Sequence, residues 1–143
     1  MSYRQYPKRD PIKNYFPLPN EILDLGLSSG AFHTYAYLLS LEDRKTYQCW
    51  PSYATIGRKI GKSKNSVRKY VQELVDKRLI KTENTTIITK DGIKRNGTLK
   101  YTIRPIQEAI DYNYEQQMRR LEEGIARKKA VMAKARNASR PAV

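Results

Sequence analysis

The sequence holds one cysteine, one histidine and one tryptophan among its 143 residues. A lone Cys49 cannot form an internal disulfide, which suits a reducing cytoplasm, and its place beside Trp50 predicts a small buried side chain rather than a redox thiol. With one histidine and one cysteine, a catalytic triad or a zinc site is not expected. His33 falls in a helical stretch with no second ligand nearby, so its expected role is structural. No run approaches the 18 apolar residues that a transmembrane helix needs. The opening MSYRQYPKRDPIKNYF contains no apolar stretch of the kind a secretory signal uses, and the sequons at Asn84 and Asn96 then carry little meaning. No acidic cluster for magnesium stands out either. An enzyme, a cofactor and a membrane partner are therefore not expected. Acidic residues are themselves scarce, 14 against 28 basic, for a formal net charge of +14. A surplus of that size argues for a polyanionic partner, nucleic acid or an anionic membrane face, of which nucleic acid is the one expected.

The excess is local. Residues 1–57 carry six basic and five acidic side chains, residues 58–104 fourteen and four, and residues 105–143 eight and five. The middle third thus holds +10 of the charge, where a disordered basic tail would have placed it at a terminus.

The first fifteen residues lack periodicity and read as an arm. Pro17-Leu18-Pro19-Asn20 leads into a short apolar turn, Ile22, Leu23 and Leu25, stopped by Gly26. Ser28 can cap a helix carrying Phe32, Tyr35, Ala36, Leu38 and Leu39 at helical spacing, with Leu27 placed to pack on Phe32. Cys49-Trp50-Pro51 reads as extended. Ser52 caps a helix to about Ile60, with Ala54, Ile56 and Ile60 facing inward. Gly61-Lys62 breaks it, and Ser63 caps the next, whose Val67, Val71, Leu74 and Val75 form one apolar face. Two capped helices joined by a glycine turn make a helix-turn-helix.

The period then changes. Leu79-Ile80, Thr85–Thr89 and Thr98–Ile103 favour strands, and Asp91-Gly92 and Asn96-Gly97 are turn dipeptides. They predict a hairpin whose tip carries Lys90, Lys94 and Arg95. Pro105 can open a final helix over about Ile106–Arg136, with acids early and bases late as the helix dipole favours. Tyr114, Met118, Leu121, Ile125 and Met132 draw a thin apolar line along it, interrupted by Lys128. Residues 106–136 are therefore either the seam of a homodimer or a helix partly docked on its own domain and fraying at its end. The expected organisation is an arm (1–15), a winged domain (16–104), and a C-terminal helix with a basic tail (105–143).

Trp50-Pro51-Ser52-Tyr53-Ala54-Thr55-Ile56-Gly57, Ile60-Gly61-Lys62-Ser63, Ser66 to Leu74 and Leu79-Ile80 resemble the bacterial winged helix-turn-helix group. Phe16-Pro17-Leu18-Pro19-Asn20 through Leu25-Gly26-Leu27-Ser28 is similar to the N-terminal domains of plasmid replication initiators and DnaD-type primosomal proteins. The resemblance implies a mainly α fold with a small β-hairpin wing (α+β), its third helix entering the major groove and its wing touching backbone or minor groove. In such domains a glycine usually precedes the Leu-Ile that starts the wing. Here that place is Arg78, where a left-handed cap costs about 1 kcal/mol.

With Val67, Val71 and Leu74 inward, the opposite face presents Lys64, Asn65, Arg68, Lys69 and Gln72. Arginine can bridge guanine O6 and N7, and asparagine or glutamine can pair with adenine. Asn65 and Arg68 are the expected base readers, with Lys64 and Lys69 as mixed contacts. Ser63 and Ser66 would hold a phosphate at the helix start. Lys90, Lys94 and Arg95 are expected wing contacts, and Arg58, Lys59 and Lys62 backbone clamps. The segment from Gly57 to Ser63 approaches a phosphate-binding loop, but it has three residues between its glycines where that loop has four. The eleven tyrosines invite base stacking, but Tyr35, Tyr70 and Tyr101 occupy positions that suit packing. The expected function is sequence-preferring binding of double-stranded DNA, in transcription or in starting replication, on a plasmid or other mobile element. Such a protein would sit in the cytoplasm, on the nucleoid when bound. The competing reading is a protein-interaction module assembled through the winged helix and the C-terminal helix, against which the central lysines argue.

Overall fold

The computed structural model describes residues 15–139. Of the expected arm only Tyr15 falls within them, and Arg140 of the basic tail lies outside. The elements are a 3-10 turn (Asn20–Asp24), α1 (Ser29–Leu41), β1 (Gln48–Cys49), α2 (Tyr53–Ile60), α3 (Lys64–Asp76), β2 (Ile80–Glu83), β3 (Thr86–Ile88), β4 (Lys94–Asn96), β5 (Lys100–Ile103) and α4 (Ile106–Ser139). This is a winged helix-turn-helix, three helices and a small antiparallel sheet, continued by a long C-terminal helix.

All three expected serine caps are in place. Ser28, Ser52 and Ser63 have extended backbones and accept hydrogen bonds from the amides of Ala31, Thr55 and Ser66. Each satisfies one of the amides that a helix start leaves without a partner. Ser28 is also held from α3, where Glu73 Oε2 accepts from its amide at 2.9 Å and from its hydroxyl at 3.1 Å. Lys77 Nζ donates to the carbonyls of Leu25 and Gly26, tying the chain before α1 to the end of α3.

The core lies between the helices and the sheet. Tyr35, Leu38, Ile56, Val67, Leu74, Leu79, Ile80 and Tyr101 are buried in one cluster, and Phe32 and Leu27 pack on its edge. In the short apolar turn Ile22 and Leu25 are buried while Leu23 is exposed. Cys49 is buried, and desolvation, with Glu42 second, pushes its thiol up to about 12. That makes it an inert packing group rather than a nucleophile.

Tyr101 shows the cost of this packing. It is fully buried, and its hydroxyl has no hydrogen-bond partner among the described residues. An unsatisfied buried hydroxyl costs about 1–3 kcal/mol. Tyr101→Phe is therefore expected to leave stability unchanged or raise it by about 1 kcal/mol. A urea midpoint below that of the wild type would show that the hydroxyl is satisfied after all.

The wing is more elaborate than one hairpin. β1, β5 and β2 form a three-stranded sheet in that order. The pairing of Gln48 with Thr102 and Cys49 with Tyr101 draws the expected extended piece, shifted to Gln48–Cys49, into the sheet, a pairing that the sequence patterns do not announce. β2 and β5 pair from Ile80↔Ile103 to Glu83↔Lys100. Further out, β3 and β4 pair from Thr86↔Asn96 to Ile88↔Lys94. The register slips by one residue between the two ladders, because the return strand spends three residues, 97–99, where the outgoing strand spends two. Asn96-Gly97 is thus no turn. Asn96 ends β4, and Gly97 sits at the slip, where its amide donates to the Thr85 carbonyl at 2.7 Å and Thr85 Oγ1 donates to the Thr98 carbonyl. The tip turn is at Asp91-Gly92, as expected, with Gly92 N–H donating to the Thr89 carbonyl.

α4 runs to Ser139, three residues past its expected end. Only its first turns dock. Ala109 is buried, Ile106 and Ile110 are half-buried against the core, and Arg104 bridges Glu108 at 2.6 Å. No helix of the described residues is long and apolar enough to cross a membrane.

Candidate nucleic-acid interface

α2 ends in a left-handed glycine, Gly61 at φ +72°, whose amide donates to the Gly57 carbonyl. The Lys62 amide donates to the same carbonyl at 2.9 Å. The chain therefore folds back over Gly57 before Ser63 opens α3, which sets the angle between the helices. Val67, Val71 and Leu74 anchor α3 in the core, leaving Lys64, Asn65, Arg68, Lys69 and Gln72 exposed on the far face.

These five are not equally free. Gln72 Nε2 donates to Asp76 Oδ1 at 2.9 Å, one turn along the helix, so its amide is already engaged. Arg68 holds its guanidinium over the Tyr53 ring, 5.9 Å from the centroid. Asn65 makes no side-chain hydrogen bond among the described residues. Ser63 spends its hydroxyl twice, accepting from the Ser66 amide and donating to Ser66 Oγ at 3.1 Å.

Arg58 and Lys59 are exposed on the last turn of α2, and Lys62 is exposed in the turn. All three flank the start of α3. Lys62 also borders a pocket with Ser28, Gly30, His33 and Tyr70, and His33 is exposed there. On the wing, Lys90 lies in the tip turn, whereas Lys94 and Arg95 belong to β4 rather than to the tip. The ion pairs found among the described residues fall elsewhere. Glu83 draws in Lys100 at 2.9 Å and Lys81 at 3.2 Å at the base of the wing, and those hydrogen bonds hold its carboxyl below the usual range. Arg58, Lys59, Lys62, Lys64, Lys69, Lys90, Lys94 and Arg95 form none of them, so their charge faces solvent. Among the described residues no group of three or more His, Cys, Asp or Glu side chains is placed to hold a metal ion.

The residue that sequence patterns miss is Tyr53. A groove of about 360 Å³ separates the start of α2 from the wing, lined by Pro51, Tyr53, Ile87, Asn96, Leu99 and Tyr101 among others. Tyr53 meets the wing across this groove and meets Arg68 with its ring, so it links the wing side of the domain to the exposed face of α3. No periodicity marks an aromatic residue at the first position of a helix, and only the crossing of α2 and α3 brings it under Arg68.

Arg78 has φ +65°, so the residue before the Leu-Ile that starts the wing is left-handed, as the resemblance implies. The Leu79 amide donates to Leu74 and the Arg78 amide to Val75, which closes the end of α3. The Arg78 guanidinium also lies over the Tyr112 ring, 5.0 Å from its centroid, and so ties this turn to α4. A cation–π contact of about 0.5–1 kcal/mol offsets much of the backbone cost.

Residues 25–80 match the model of a family described as a helix-turn-helix domain. No curated protein matches the chain. Among solved structures it is similar to a possible transcriptional regulator from Methanosarcina mazei Go1, at 16% identity over 73% of this chain and 82% of that one, with a TM-score of 0.48. It is also similar to the MepR–DNA complex of S. aureus, at 12% identity over 84% and 86%, with a TM-score of 0.41. A third is a MarR-family transcriptional regulator from Silicibacter pomeroyi, at 15% identity over 82% and 74%, with a TM-score of 0.41.

Proposed function

We propose that this chain is a DNA-binding regulator that reads duplex DNA with sequence preference, through α3 in the major groove and the wing along the flanking backbone. The observation that carries this reading is the exposed face of α3. Lys64, Asn65, Arg68 and Lys69 stand on a helix anchored by three buried side chains, and among the described residues no ion pair neutralises the surrounding cations. A rigid helix presenting both base-reading groups and phosphate donors is what groove recognition requires. Arg58, Lys59 and Lys62 would clamp the backbone on one side of α3, and Lys90, Lys94 and Arg95 on the other. Ser63 would offer its backbone amide and Ser66 its hydroxyl hydrogen, since the Ser63 hydroxyl and the Ser66 amide are committed to the cap. Such a protein works with the DNA in the cytoplasm and needs no cofactor. A second copy of the chain, joined through residues 106–136, is the partner protein that the exposed α4 suits.

The test is selection from a random duplex pool by the wild type and by an Asn65→Ala/Arg68→Ala variant, read at two salt concentrations. One motif should be enriched by the wild type and lost by the variant, while salt-sensitive bulk binding persists. Each lost bidentate contact corresponds to about 1–3 kcal/mol of discrimination. Enrichment that survives in the variant would remove α3 as the reader, and no binding at low salt would end the DNA reading. Where the motif falls, at promoters or at a replication origin of a plasmid or other mobile element, decides between control of transcription and a part in starting replication.

A further inference from the structure

α4 spans 34 residues, about 51 Å at 1.5 Å per residue. Past the docked first turns, Tyr114, Leu121, Ile125, Val131 and Met132 are more than half exposed and Met118 is exposed at 39%. Positions 114, 118, 121, 125, 128 and 132 alternate steps of four and three, the spacing of a two-helix seam. Lys128 alone departs from its apolar character. A helix projecting this far with an uncovered stripe lacks the packing that normally stabilises it.

We infer that a second copy of this chain covers the stripe with its own α4 running antiparallel, which rests on the homodimer reading above and adds its direction. The charges choose the direction. Glu108, Asp111 and Glu115 stand in the first third of α4, and Arg127, Lys128, Lys129, Lys134 and Arg136 in the last. A parallel pair in register sets the basic thirds side by side and stacks Lys128 on Lys128 inside the seam. An antiparallel pair with its two-fold axis at residue 123 removes both problems. Its layers are Tyr114 with Met132, Met118 with Lys128, and Leu121 with Ile125, each occurring twice. Lys128 then lies along a methionine and carries its ammonium to the edge. Glu115 flanks Lys129 of the second copy on both sides of the axis. Glu122 meets its own copy at the centre, a single repulsive contact on an exposed flank. Gly124 sits at the same crossing, where a Cβ would meet nothing within the chain.

Two winged domains held this way stand at opposite ends of the paired helices. Their Ile106 residues are about 51 Å apart, beyond the 34–36 Å that separates neighbouring major-groove half-sites on one face. The expected target is two separated sites rather than one compact palindrome.

The experiment uses the full chain. Light scattering after size exclusion should give a dimer, and Leu121→Asp should give a monomer whose winged domain keeps its thermal unfolding midpoint while the uncovered part of α4 loses helical signal. Glu115→Lys should weaken the dimer by about fivefold to tenfold, and adding Lys129→Glu should restore it, because the exchanged charges face each other only in the antiparallel pair. Spin labels at Ala133→Cys should lie about 30 Å apart, against less than about 20 Å in a parallel pair, with the buried Cys49 left unlabelled. A dimer with the short distance and no charge rescue overturns the direction alone. A monomer at every concentration overturns the direction and the homodimer together. Neither result touches the DNA reading, which the selection experiment decides separately.

Discussion

Raising monovalent salt from about 50 to 200 mM is expected to weaken duplex binding by about a thousandfold. The six cations flanking α3, Arg58, Lys59, Lys62, Lys90, Lys94 and Arg95, are all exposed. If each neutralises one phosphate, the slope of log affinity against log salt is about −5, and a fourfold rise in salt then costs about three orders of magnitude. Fluorescence anisotropy on a labelled duplex measures this directly. Each Lys→Gln substitution among the six should reduce the slope by about 0.9 and weaken binding to all sequences alike. Asn65→Ala should leave the slope unchanged and affect only the preferred sequence. A slope shallower than about −2 would mean that the wing and α2 do not both touch the backbone. Lys81 and Lys100, bound to Glu83, are expected to contribute less, since that carboxylate already meets their charge.

Gly57→Ala is expected to destabilise the winged domain by about 2–3 kcal/mol, although alanine is normally the better helix former by about 1 kcal/mol. Gly57 lies inside α2. A Cβ built there falls 2.5 Å from the Lys62 carbonyl oxygen and 3.6 Å from Val67 Cγ2. The obstacle is backbone, so it cannot swing aside as a side chain would. Moving Lys62 disturbs the Ser63 cap, and with it the start of α3. Thermal unfolding should show the midpoint falling by about 10–20 °C, at about 4–8 °C per kcal/mol for a domain of this size. DNA binding should fall with it. Gly124→Ala is the control, because the same substitution in open space should raise helix content. A Gly57→Ala protein as stable as the wild type would show that the turn between α2 and α3 can relax.

The sequence alone determined the helices, their starts and the concentration of charge. Ser28, Ser52 and Ser63 each act on an amide three residues away, and Val67, Val71 and Leu74 share a face through the helical repeat itself. Such features depend on residues within a turn or two of one another, so they survive being read along a line. The left-handed place of Arg78 was legible only through family resemblance. The contact with Tyr112 that offsets its cost was not. Tertiary structure decided the pairing of β1 with β5, the one-residue slip in the wing, and the placing of Tyr53 under Arg68. Each joins residues that meet only because the whole core packs, and the energy that selects the pairing is shared among many buried side chains. The apolar line of α4 lies between these cases. Its spacing was evident from the sequence, but its exposure follows from the docking of Ala109 and Ile106, which holds the first turns against the domain and carries the rest of the helix away from it.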